Sequence, residues 1–170
     1  MGENKMQRKD ALELLKKEGC SEDIIRHSIV VSENALRAAR KIDNGIDENI
    51  VEIGGLLHDI GRSRTHSVFH GIEGAKILKK YNLDPVFLDI CRNHLGSGID
   101  REEARKLGLP EGDYIPKTKE ERLIAYIDNR VIGDRFVSFD EAFESFRKKI
   151  KNERSIKRFL EMHEEFGRYI

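Results

Sequence analysis

Residues 54–61 read GGLLHDIG, and this stretch decides the fold. It closes a segment in which apolar residues recur at helical spacing, so we expect a buried helix that leads directly into His58 and Asp59. The two glycines at its centre allow another helix to approach closely. The pattern therefore predicts an imidazole and a carboxylate at the inner end of a core helix.

The helical period continues on both sides of this stretch. Ser21 predicts the N-cap of a helix that runs to about Ile42, and Asn44–Gly45 predicts the turn that follows. Other expected helices cover 11–15, 47–61, 85–93 and 101–107, and one more starts between His66 and His70 and ends at Tyr81. A capping box from Thr118 and Glu121 predicts a helix over 118–132, and a second from Ser138 and Glu141 predicts the helix that follows. The last expected helix runs from 155 onward. Since no segment alternates like a strand, we predict an all-α class.

Composition excludes several classes of function. The 170 residues contain 31 Lys plus Arg and 31 Asp plus Glu, so a formal net charge of zero draws the chain neither to nucleic acid nor to anionic membrane. No apolar run is long enough to span a membrane and the first ten residues are too polar for a signal peptide, so we expect a cytoplasmic protein of one domain. Cys20 and Cys91 form no CxxC pair and are expected to be small core residues.

Two further polar residues interrupt apolar helix faces. His27 shares its face with Ile24, and Asp128 lies between Ile124 and Val131 near the middle of the expected helix 118–132. Each has a plain structural alternative: the histidine can be satisfied within the core, and the aspartate can act as a cap or in a salt bridge. Together with the HD pair, they supply imidazole and carboxylate groups from three helices, which suits a hexacoordinate first-row metal with open positions.

The sequence resembles the HD superfamily of metal-dependent phosphohydrolases in the order of four residues: His27, then His58–Asp59 within HDIG, then Asp128. The resemblance implies a helical bundle with the metal site between core helices, where these four residues bind one ion. It also implies a single HD domain over 1–170, in which the motif region covers about 20–135 and the C-terminal helices 138–170 pack on it.

Two further histidines resemble the second-metal ligands of dinuclear HD enzymes, of the kind found in HD-type symmetrical diadenosine-tetraphosphate hydrolases. His70 opens the string HGIEGA, and His94 stands in NHLGSG. This resemblance implies that Asp59 bridges two metals and that both histidines complete the second site. Imidazole-rich ligation favours Mn, Fe, Co or Ni over Mg or Ca, so we expect two divalent first-row ions per chain.

The expected function is hydrolysis of a phosphoester or phosphoanhydride in a small nucleotide or dinucleoside polyphosphate, through a metal-bound hydroxide. We assign catalytic roles to Asp59 and His66, although an exposed loop histidine is the alternative for His66. Arg62 and Arg64 are the candidate phosphate-binding residues, and ordinary surface charge is their alternative. A di-iron oxygenase and a nucleotide-binding regulatory module remain the alternative functions. We expect no nucleic-acid or membrane partner.

Overall fold

The computed structural model describes residues 5–42 and 45–170, and over these residues the chain is a bundle of nine α-helices with one small β-hairpin. The helices are Arg8–Lys17 (α1), Glu22–Ala39 (α2), Glu48–Leu57 (α3), His70–Lys80 (α4), Pro85–Asn93 (α5), Arg101–Lys106 (α6), Lys119–Asn129 (α7), Phe139–Lys149 (α8) and Glu153–Phe166 (α9). Short 3₁₀ helices cover Ile60–Ser63 and Gly167–Tyr169. The predicted all-α class is confirmed, and the expected turn at Asn44 lies outside the described residues.

Side-chain caps begin several helices where the sequence predicts them. Ser21 and Asp47 accept backbone hydrogen bonds at the starts of α2 and α3, and Thr118 and Glu121 form the expected capping box of α7. Ser138 caps α8 in one direction only. The carboxylate three residues later pairs with an arginine of the hairpin instead of returning to the cap.

Helix α3 lies at the centre of the bundle because its two glycines admit neighbouring elements. A Cβ on Gly54 would lie 2.6 Å from Ile90 Cδ1 of α5, and one on Gly55 would lie 2.8 Å from Ser32 Cα of α2. Only glycine permits both approaches, as the sequence predicts. The end of α3, with His58, is thereby placed in the interior, where His58 is completely buried.

The segment after Asp128 differs from the prediction. The expected helix to Ile132 ends at Asn129, and Val131–Ile132 (β1) pairs antiparallel with Arg135–Phe136 (β2). A glycine between the strands has φ +65°, which suits a tight turn, and the buried guanidinium of Arg130 donates from Nε to Val137 O at 2.9 Å. Asp128 therefore lies in the last turn of α7 and not in the middle of a helix.

Helix α9 holds the loop that follows α5. Ser97 Oγ donates to Ser155 O at 2.6 Å, and Arg158 Nη2 donates to Gly98 O at 2.8 Å. The last helix thus fixes the backbone next to His94. Both cysteines are buried, as predicted, and none of the described helices combines the length and the apolar character that crossing a membrane requires.

Candidate metal centre

Six candidate ligands converge because each lies on, or immediately beside, a helix packed around α3. His27 projects from α2, His58 and Asp59 follow the end of α3, His70 is the first residue of α4, His94 follows α5, and Asp128 lies in the last turn of α7. Five elements that are distant in sequence therefore deliver side chains to one interior point.

The four imidazoles are oriented in the same way, through Nδ1. Nδ1 lies against a backbone carbonyl in each ring: His27 against Gly133 O at 2.6 Å, His58 against Gly55 O at 2.7 Å, His70 against Ser67 O at 2.8 Å and His94 against Cys91 O at 2.8 Å. A carbonyl only accepts, so Nδ1 carries the proton and Nε2 is the atom left for a cation. This is the arrangement that metal-ligating histidines adopt.

One group of ligand atoms surrounds the second oxygen of Asp59. His27 Nε2 lies 2.9 Å from Asp128 Oδ1 and 3.8 Å from Asp59 Oδ2. His58 Nε2 lies 3.4 Å from Asp128 Oδ1 and 3.7 Å from Asp59 Oδ2. The ligand atoms of His27, His58 and Asp59 lie within 4.8 Å of one another, and Asp128 Oδ1 lies against both imidazoles.

A second group surrounds the other oxygen of Asp59. His70 Nε2 and His94 Nε2 lie 3.1 and 3.2 Å from Asp59 Oδ1, and 3.1 Å from each other. Two nitrogens whose protons are on the opposite side of the ring repel at this distance unless a cation or a proton lies between them. Asp59 thus presents one oxygen to each group.

Buried atoms without partners test whether a metal fits. His58 Nε2 and Asp59 Oδ1 are inaccessible to solvent and have no hydrogen-bond partner in the described chain. Leaving such groups unpaired costs about 1–3 kcal/mol each. A divalent cation would satisfy both, and the mixture of imidazole and carboxylate is the donor set of first-row metals. The residues fit a bound divalent metal ion.

The pKa values of these side chains reflect their mutual contacts. Burial disfavours the charge of His27, but its hydrogen bond with Asp128 and the two nearby carboxylates outweigh this effect and raise its pKa to about 9. Burial also opposes the charges of Asp59 and Asp128, yet the adjacent imidazoles hold the pKa of both carboxyls far below the usual range. Burial lowers the pKa of His94. These contacts therefore favour ionised carboxylates and, at His27 and His58, the protonated imidazole.

A cavity of about 440 Å³ opens onto this centre. His27, Asp59 and Asp128 lie on its floor, and the β-hairpin and α8 form its walls. Arg62 also lines it and donates from Nε to Asp59 Oδ2 at 2.8 Å. In a 3₁₀ helix, residues i and i+3 lie on the same side, so the Ile60–Ser63 turn aligns this arginine with the carboxylate.

Two of the predicted site residues lie elsewhere. Arg64 Nη1 donates to Glu18 O at 3.0 Å, and its Nη2 pairs with the carboxylate of Glu18, which Tyr81 also contacts. Arg64 therefore connects the end of α1 to the 3₁₀ turn. His66 is exposed in the loop before α4, and neither side chain lines the cavity.

Two residues near the site are absent from the sequence prediction. Asn129 Nδ2 donates to Gly96 O at 2.7 Å and to Ala125 O at 2.8 Å, so it holds the loop that follows His94. Its position directly after Asp128 is the signal that could have identified it. Lys149 of α8 lines the cavity, and only its helical spacing from other lining residues would have indicated this.

Comparisons with known proteins identify the family of this chain. The sequence profile described as HD domain matches residues 24–131, a range that includes all six candidate ligands. An uncharacterised protein of Methanocaldococcus jannaschii is 43% identical over 166 residues, 95% of this chain and 98% of that protein. A tRNA (cytidine(56)-2'-O)-methyltransferase of Picrophilus torridus is 42% identical over 92% of this chain, but the chain spans 45% of that enzyme's length.

A Ribonuclease Y of Clostridium kluyveri is 34% identical over 62% of this chain, which corresponds to 21% of that protein. Among solved structures, the HD domain of the L. monocytogenes phosphodiesterase PgpH superposes with a TM-score of 0.55 at 21% identity, over 89% of this chain and 94% of that one. A second structure of that domain contains cyclic-di-AMP. At this level of identity, the likeness shows a shared fold. By its profile match over most of its length, the chain belongs to the HD domain family.

Proposed function

We propose that this chain is a metal-dependent phosphohydrolase that cleaves a phosphoester or phosphoanhydride bond in a small nucleotide or dinucleoside polyphosphate. The observation that carries this proposal is the position of Asp59, which lines an open cavity and presents one oxygen to each of two ligand groups. Family membership supports the reaction type, as do the names of two relatives, a phosphodiesterase and a ribonuclease. The cyclic-di-AMP bound by one of them supports a nucleotide substrate.

The ligand assignment follows the two groups. His27, His58, Asp59 and Asp128 would hold one ion, while His70 and His94 would hold a second ion together with the other oxygen of Asp59. When bound, such ions lower the pKa of a coordinated water and neutralise charge on phosphate oxygens. Mn, Fe, Co or Ni would suit this donor set.

Arg62 supplies the phosphate contact in this proposal. Its Nε is held by Asp59 at 2.8 Å, and the described chain offers its two Nη atoms no hydrogen-bond partner, so both remain available at the cavity. A guanidinium fixed in this way can bind two phosphate oxygens at once. We assign no step to Arg64, which is engaged by Glu18, or to His66, which lies outside the cavity.

Phosphate release from a panel of nucleotides and dinucleoside polyphosphates tests this function. The metal-reconstituted protein should release phosphate with and without oxygen, and chelation should abolish the release. Asp59→Asn should lose activity because it removes the shared ligand charge, whereas the exposed Asp140→Asn on α8 is the matched control and should retain it. Oxygen-dependent turnover without phosphate release, or nucleotide binding without turnover, would instead support the oxygenase or the regulatory module.

A further inference from the structure

We propose that the substrate is a nucleotide with two phosphate groups, and that the cavity-facing side of α8 binds the second phosphate through Lys149. This inference rests on the proposed hydrolysis of a nucleotide at the metal centre. It assigns a binding function to a helix that lies beyond residues 24–131, the part of the chain matched by the family profile.

Four residues of α8 share one face and line the cavity. Ala142, Ser145, Phe146 and Lys149 are spaced at i, i+3, i+4 and i+7, so their side chains lie along one stripe of the helix. The alanine and the phenylalanine are buried, the serine is half-buried and the lysine is exposed. The stripe thus passes from a tightly packed end to a charged end within the same cavity.

Lys149 differs from its neighbouring cations in having no ionic partner in the described chain. Lys148 pairs with Glu144 at 2.9 Å, and the Arg147 guanidinium lies 5.7 Å from the centre of the Phe143 ring. These groups occupy the outer side of α8. Lys149 makes no ion pair or hydrogen bond with the described residues, so its ammonium is available to an anion in the cavity.

The other charges of the cavity leave Lys149 unbalanced. Asp59 and Asp128 belong to the metal centre, and Asp23, which also lines the cavity, pairs with Arg26. No carboxylate among the described lining residues therefore remains to neutralise the lysine. In the proposed reaction, the metal centre and Arg62 supply positive charge to the phosphate that reacts, so another cation in the same cavity indicates a second anionic group on the substrate.

Part of the cavity lining is apolar. The Phe146 ring is fixed by stacking on Phe159, with ring centres 4.6 Å apart, and Ile132 and Ile150 complete this surface. The cavity volume of about 440 Å³ lies in the range of small-ligand sites, roughly 300–1,000 Å³. An apolar surface in a cavity that also presents Arg62 and Lys149 matches a nucleoside that carries two phosphate groups.

Calorimetric titration tests the inference with two probes, adenosine 3′,5′-bisphosphate and adenosine 5′-monophosphate. The metal-reconstituted full chain should bind the bisphosphate more tightly. Because Lys149 is exposed, its replacement in Lys149→Ala should reduce this preference by about 2- to 5-fold. Lys148→Ala removes the same charge one residue away and should keep the preference of the wild type.

The outcomes test the Lys149 subsite and the proposed hydrolysis separately. Equal affinity of the wild type for both probes, or the same loss of preference in both lysine variants, would overturn the assignment of Lys149. Chromatography of the titrated samples reports hydrolysis separately. A preference for the bisphosphate without cleavage of any nucleotide would support this subsite and refute the proposed hydrolysis, whereas cleavage without a preference would do the reverse.

Discussion

The contact between His27 and Asp128 predicts that metal affinity rises with pH. In the protein without metal, His27 Nε2 lies 2.9 Å from Asp128 Oδ1, and the carboxylates raise its pKa to about 9 against the burial that lowers it. A metal ion takes the electron pair of the same nitrogen, so the proton must leave when the ion binds. Below pH 9, binding at this site should therefore release a proton from His27.

One released proton corresponds to about a tenfold gain in association constant per pH unit, and so to roughly 100-fold between pH 6.5 and 8.5. The gain should level off above pH 9. Burial opposes the charge of His58, but Asp59 and Asp128 raise its pKa as well. The His27 ring, 5.5 Å away, opposes a second proton there without cancelling this rise, so we expect a slope of at least one. The carboxyl pKa values are too low to contribute over this range.

Competition between the protein and a fluorescent chelator for Mn²⁺ measures this dependence at pH 6.5, 7.5 and 8.5, after correction for the chelator's own protonation. His163→Gln is the control, because that ring stacks on Phe139 at 3.5 Å and belongs to the α9 region outside the ligand groups. The control should keep the slope of the wild type. A Mn²⁺ affinity that does not change with pH would refute the assignment of the His27 nitrogen as a ligand.

Three further predictions concern the ligands, the phosphate contact and the packing. Asp59→Ala should lower metal content at both sites, whereas His94→Ala should chiefly empty one. Elemental analysis that finds equal metal in Asp59→Ala and the wild type would refute the assignment of Asp59 as the shared ligand. Arg62→Ala should lower kcat/KM on nucleotides by about 10- to 150-fold with unchanged metal content, and Arg62→Lys should have an intermediate kcat/KM. Wild-type kinetics in Arg62→Ala would show that the arginine is only surface charge. Gly61→Ala should destabilise the fold by about 4 kcal/mol or more in denaturant unfolding, because a Cβ would lie 1.8 Å from the first carbonyl oxygen of α4. Its control is Gly108→Ala, which should cost about 1–2 kcal/mol because Gly108 has φ +74° and open space around it. Equal losses of stability in the two variants would contradict this packing.

Secondary structure was largely predictable because its signals are local. Caps such as Ser21 and Asp47 lie within three residues of the amides they satisfy, so their effect is readable without tertiary information. The end of α7 was not predictable in this way. It depends on Arg130, which reaches across the hairpin to Val137 O, and that contact forms only once the hairpin is present.

The candidate ligands were predictable for a different reason. A histidine or an aspartate on an apolar helix face must find a partner, so His27 and Asp128 were identifiable before any distance was known. Their order with the HDIG string pointed to the family that the profile match then showed. The division of the six ligand residues into two groups that share Asp59 was not readable from spacing, because it depends on how five separate elements pack.

By itself, the sequence determined the helical class, the family and the chemical identity of the candidate ligands, since these follow from residue types and their periodic spacing. Tertiary structure alone decided which charged side chains face the cavity. Arg62 and Arg64 carry the same group two positions apart, but the 3₁₀ turn aligns Arg62 with Asp59 and directs Arg64 to Glu18. Lys149 lines the same cavity from 87 residues beyond Arg62, because α8 packs against the loop after His94, and no local pattern encodes such a contact.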